Sequence, residues 1–194
     1  MKNIRHSLFI GLITFFISVI INLSSSAILA VSPVTVSFIL LFFIVLLGIV
    51  FDIIGTAAAA GTEAPFHAMA SDRIAGAKQS IWLVRNADKV ATFSNDVVGD
   101  IAGTISGAIG ASIIFHFTLG GPRINADVIN TFLIGFIAAV TVAGKAIGKS
   151  AAISRSTEIL YLAGRVLYNI EKLGIDITGN TKDKRKFNNE KKRN

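Results

Sequence analysis

Between Ser94 and Ala111 the sequence SNDVVGDIAGTISGAIGA sets a carboxamide, Asn95, and two carboxylates, Asp96 and Asp100, at the head of a span long enough to cross a bilayer. In an α-helix the two carboxylates stand one turn apart on one face. Gly99, Gly103 and Gly107 then repeat every four residues on an adjacent stripe that ends at Ala111. Small residues at that interval let helix backbones approach closely. An ionised carboxylate near the middle of a membrane helix costs about 2.5–3.5 kcal/mol on insertion scales, so it normally faces a partner, water or an ion. A cation site is therefore the first expectation. The alternative is that both carboxylates sit just inside the cytoplasmic headgroup region, where water satisfies them.

The elements that must position these groups are those of an integral membrane protein. The chain of 194 residues is 52% hydrophobic, with a formal charge of +7 and a mean hydropathy of +0.64. The absence of cysteine removes disulfides, thiolate metal sites and thiol catalysis. His6, His67 and His116 are spread too widely to converge on zinc, and no Ser/His/Asp order or phosphate-cradling glycine loop is present, so the reading is not an enzyme. Of the 19 Lys and Arg, 12 lie between Lys145 and Arg193; in a chain this apolar that is a signal of membrane topology, and no nucleic-acid partner is expected.

Residues 8–23 form an apolar run that reads either as a membrane helix or as a signal segment cleaved near Ala30. Residues 34–51 carry no charge and just cover about 30 Å of hydrocarbon at ~1.5 Å per residue. A third span is expected over 92–118 and, after the Gly120-Gly121-Pro122 turn, a fourth over 128–144. Between 52 and 92, Pro65 should break or start a helix, and the segment around Trp82 reads as an interfacial amphipathic helix. Beyond Lys145, Ile153, Leu160, Ala163, Leu167 and Ile170 recur at helical spacing. The fold class is thus all-α: a membrane bundle of four transmembrane helices, or three after processing, with amphipathic juxtamembrane helices. Its parts are residues 1–33 (first helix or signal segment), 34–173 (membrane domain with its juxtamembrane helices) and 174–194 (basic tail). With four spans, every Lys and Arg except Arg123 falls on one side, which makes that side, the C-terminus included, cytoplasmic in a multi-pass protein of the cell membrane.

Three blocks together resemble a known family. Gly61-Thr62-Glu63-Ala64-Pro65-Phe66 followed by Arg73-Ile74 is similar to the SGSETAL…RL stretch of the cyclin M and CorC (CNNM-type) magnesium transporters. Ala77-Lys78, Leu83, Asn86-Ala87-Asp88-Lys89 and Thr92 keep the register of that family's AK…L…NPDR…T segment. The stretch from Gly144 to Ser150 is similar to its GEIxPKS, with Arg155 and Glu158 matching a later R…PE.

The resemblance implies a homodimer of membrane domains, embedded in the lipid bilayer, in which hydroxyl, amide and carboxylate oxygens coordinate magnesium. Thr62 corresponds to the family's hydroxyl ligand; no CBS pair follows it here. The metal set is then Thr62, Glu63, Asn95, Asp96 and Asp100. The family's GE carboxylate is replaced by Lys145, whose ammonium only donates and repels a dication. Two functions follow: cation binding or transport, or a non-transporting membrane scaffold or subunit in which Lys145 replaces the cation and neutralises Asp96 or Asp100.

Overall fold

The computed structural model describes residues 2–31, 33–118 and 126–175, and every regular element among them is helical. In chain order these are α1 (Lys2–Val31), α2 (Val34–Ala60), α3 (Ala64–Ser71), α4 (Ala77–Arg85), α5 (Ala87–Ala91), a π-helical segment (Thr92–Gly99), α6 (Asp100–Thr118), α7 (Ala126–Ser154) and α8 (Ser156–Lys172). Three stretches are long and apolar enough to cross a membrane: Val34–Ala60, Ala87–Ile114 and Ile134–Ser154. Leu8–Ser24 is a shorter apolar stretch within α1. The expected 120–122 turn, Arg123 and the basic stretch beyond Gly179 lie outside the described residues.

The chain divides into two units: residues 1–53 with 92–150, and residues 54–91 with 151–194. In the first, α1 lies along α6. Ile101, Ile105, Ile109 and Ile113 recur every fourth residue along α6, all buried, and form a ridge with Val97 and Leu41. Ile10 and Ile17 of α1, Ile44 and Val45 of α2 and Ile137 of α7 close over that ridge.

The second unit is held by α4 against α8, with α3 packed on both. Pro65 starts α3, as its fixed φ and missing N–H favour. Backbones meet directly where α4 begins: a Cβ on Gly76 would lie 2.8 Å from the backbone N and Cα of Arg165, and one on Gly164 would strike the Ser80 hydroxyl. The buried Ser80 hydroxyl donates to the Leu160 carbonyl at 2.9 Å, tying the two helices through a polar contact that a larger residue at either glycine would displace.

Two helices outrun their expected ends. α2 continues past Phe51 through Asp52 to Ala60, carried by an alanine run of high helix propensity. α7 continues past Gly144 to Ser154, so Lys145 and Lys149 lie one turn apart on a single helix.

The glycine stripe is also rearranged. The π segment closes i→i+5 hydrogen bonds and shifts the helical register ahead of α6. Gly99 is therefore buried, whereas Gly103 and Gly107 are exposed, with nothing among the described residues within 4 Å of a Cβ built on either.

Candidate functional site

The chemistry-bearing groups of the first unit gather where α2, the junction of the π segment with α6, and α7 cross. Glycines make the crossing close. A Cβ on Gly48 would lie 2.9 Å from the Ala102 Cβ, one on Gly144 2.5 Å from the end of Ile49, and one on Gly148 2.7 Å from Ile53. Gly144 and Gly148 thus set a flat stripe of α7 against Ile49 and Ile53 of α2, one turn each.

At this stripe α2 carries its one acidic side chain. Asp52 is only 3% exposed, and Lys149 Nζ stands 3.5 Å from its Oδ2. Half of the Lys149 side chain is in the open, while its ammonium reaches the buried carboxylate. A carboxylate removed from water needs such a partner, because uncompensated burial costs several kcal/mol on the order expected for an isolated ion.

One turn earlier on α7, Lys145 turns to the other neighbour. Its Nζ is 3.6 Å from the position a Cβ would take on Gly99, and the Ser94 carbonyl oxygen is 3.5 Å from that same position. Glycine at 99 therefore leaves an open shoulder on the π segment, and the Lys145 ammonium stands beside it. A Cβ at 99 would fit in ordinary contact with both, while a longer side chain would compete with the ammonium for that space.

The expected metal ligands are placed as follows. Asn95 is half-buried, and its Oδ1 is fully buried with no hydrogen-bond partner among the described residues. Asp96 and Asp100 are both exposed. No ion pair within 4.0 Å joins Lys145 to either of them among the described residues, where the ion pairs are Asp52 with Lys149 and Glu63 with Arg85 and His67. Thr62 and Glu63 belong to the other unit. Thr62 is exposed, and Glu63 Oε2 accepts from Arg85 Nε at 2.9 Å and lies 3.0 Å from His67 Nε2. Among the described residues no three His, Asp or Glu side chains converge as a metal site.

Asp52 and Lys149 escaped the sequence reading, which ended one span before Asp52 and the other before Lys149. The available signal was a lone acid late in a long apolar run and two lysines four residues apart in another. No protein-family model, curated protein or solved structure matches the chain. The likeness to CNNM-type domains therefore stands on the residues quoted above.

The Glu63 carboxyl is held below its ordinary value of 4.5, first by the hydrogen bond with His67; desolvation opposes this next, and the hydrogen bond and charge of Arg85 then add to the lowering. A folded-state value below the unfolded one means that the carboxylate's stabilising contribution is complete at neutral pH and is lost as pH falls through the depressed value. Wild type should melt above Glu63→Gln at pH 7, and the gap should close as melts are taken at pH values progressively below the ordinary carboxylate range. A gap that persists unchanged in acid would show that Glu63 acts through shape and not charge.

Proposed function

We propose that the chain is a multi-pass membrane protein on a plan similar to the CNNM/CorC transmembrane domain, in which tethered ammonium groups stand where that family holds magnesium. Its role is then that of a membrane scaffold or subunit. The observation that carries this reading is the Lys145 ammonium beside Gly99 at the end of the π segment, with Lys149 one turn further on neutralising Asp52. Two ammonium groups and one buried carboxylate at a single crossing disfavour a dication there, since lysine offers no acceptor. The membrane setting is supported by the three long apolar stretches and by large apolar side chains that face outward, among them Phe42, Phe43, Phe132 and Phe136. The charge asymmetry of the sequence supports a cytoplasmic C-terminus.

One observation favours magnesium binding as the second reading: the buried, unpartnered Asn95 Oδ1, an oxygen of the kind a hard cation takes. The donor set around it does not fit magnesium, because the position of the family's carboxylate carries Lys145.

A homodimer would meet on the exposed side of α6, where Gly103 and Gly107 leave a flat strip flanked by Asp100 and Thr104. Gly103→Leu should return a monomer on sizing in mild detergent, because a Cβ at that position meets nothing among the described residues and the added side chain projects into the proposed contact. A dimer of unchanged size would place the contact elsewhere.

Calorimetry with magnesium on the purified protein separates the two readings. Wild type should bind none measurably; Lys145→Met should lower the melting temperature, with magnesium restoring part of it, as a ligand of the folded state must. Lys145→Glu should bind magnesium outright. Tight binding by wild type, unaltered in Lys145→Met, would make the chain a magnesium-binding protein and remove Lys145 from the site.

A further inference from the structure

A cleft of about 700 Å³ opens in the second unit between the α3–α4 turn and the C-terminal end of α8. Arg73, Lys78 and Lys172 stand around it, with Gln79, Tyr168 and Glu171 on its walls. Glu171, the one carboxylate, accepts from Gln79 Nε2 at 2.7 Å, whereas none of the three cations has an ion pair within 4.0 Å among the described residues. The wall is rigid, because α4 and α8 touch backbone to backbone at Gly76 and Gly164 immediately behind it.

Arg73 adds an independent sign. Its φ of 58° is the left-handed conformation, and it is the non-glycine residue with positive φ among those described. Glycine would hold that turn without strain, so an arginine there is disfavoured by local energetics and points to a use for its guanidinium. The turn itself is fixed by hydrogen bonds from Arg73 N to the Ala70 carbonyl and from Ile74 N to the Met69 carbonyl, at 3.1 and 2.9 Å.

Three cations around one cleft recognise a multivalent oxyanion, and a guanidinium among them suits phosphate oxygens, which it meets as a planar fork. The surroundings select the source of that phosphate. α8 turns Leu162, Val166 and Leu173 to the outside, 61%, 57% and 83% exposed, while its opposite side is buried on α4; Ile74 is exposed at the cleft itself. α8 is thus amphipathic, with Tyr168, Glu171 and Lys172 on the polar flank that lines the cleft and Leu162 and Val166 on the far side, and a helix of that kind lies at the boundary between acyl chains and headgroups with its polar flank at phosphate depth. We propose that this cleft binds the phosphate of an anionic phospholipid headgroup, with Arg73, Lys78 and Lys172 as donors, while the outer side of α8 lies among the acyl chains.

The proposal rests on the membrane reading, but its test is scored apart from it, since resistance of the protein to carbonate extraction from membranes reads insertion whatever the cleft binds. Full-length protein in a neutral detergent is titrated with dioctanoyl-phosphatidylglycerol, dioctanoyl-phosphatidylcholine and inorganic phosphate. Phosphatidylglycerol should bind about tenfold more tightly than either of the others. Arg73→Gly should weaken phosphatidylglycerol about tenfold while raising the lipid-free melting temperature by roughly 2 °C, because it relieves the left-handed turn. Lys172→Ala, at the exposed end of α8, should weaken it about fivefold with no change in melting temperature. Equal affinity for phosphatidylglycerol and phosphatidylcholine, equal affinity for phosphatidylglycerol and inorganic phosphate, or wild-type affinity in both variants would overturn the assignment.

Discussion

The constraint on which the first unit depends is that a carboxylate buried between apolar helices must be neutralised from within the protein. Asp52 meets it through Lys149, and the meeting dictates much of the surrounding sequence. For α7 to bring its lysine back to α2 its surface must admit the α2 side chains, and Gly144 and Gly148 leave room for Ile49 and Ile53. Lipid is as apolar as leucine, so helices in a membrane gain nothing by merely hiding hydrocarbon from it; close packing and a polar contact must hold them. In this crossing the two are supplied by neighbouring residues of the same helices.

The π segment solves a related problem on the other side of α7. A lysine at the crossing needs acceptors or space, and a helix of regular i→i+4 hydrogen bonding offers few of either. Winding residues Thr92–Gly99 more widely turns Gly99 inward and leaves its open shoulder beside Lys145. Asp100, Gly103 and Gly107, which follow the π segment, are exposed, whereas Gly99 at its end is buried.

Much of the architecture was legible in the sequence because it follows from length and hydropathy. The apolar runs became α1, α2, α6 and α7, Pro65 opened a helix, and the spacing of Leu160, Ala163 and Leu167 gave the amphipathic α8. What stayed hidden was set by partners distant in the chain. Asp52 looks like the end of a span when read alone; the alanine run carries the helix on, and Lys149, far along the sequence, meets the carboxylate. The π segment has no residue-type signature, since i→i+5 bonding is imposed by packing, and without it Gly99 and Gly103 fall on one stripe. Asn95, Asp96 and Asp100 were recognisable as groups that need company, but the sequence could not say that two of them face outward. Thr62 and Glu63 were singled out by the family resemblance, and nothing in their composition announces that Arg85 and His67 engage the glutamate.

A double-mutant cycle on Asp52 and Lys149 tests the claim of internal charge compensation most directly. Asp52→Asn, Lys149→Met and the pair together are to be compared with wild type by reversible unfolding in mixed micelles. Compensation requires strong coupling: Lys149→Met should be the most damaging single change, because it takes the ammonium away from a buried carboxylate, and adding Asp52→Asn should recover about 2 kcal/mol or more of that loss. Additivity of the two changes to within about 0.5 kcal/mol would mean that the carboxylate and the ammonium act independently, and would contradict the account.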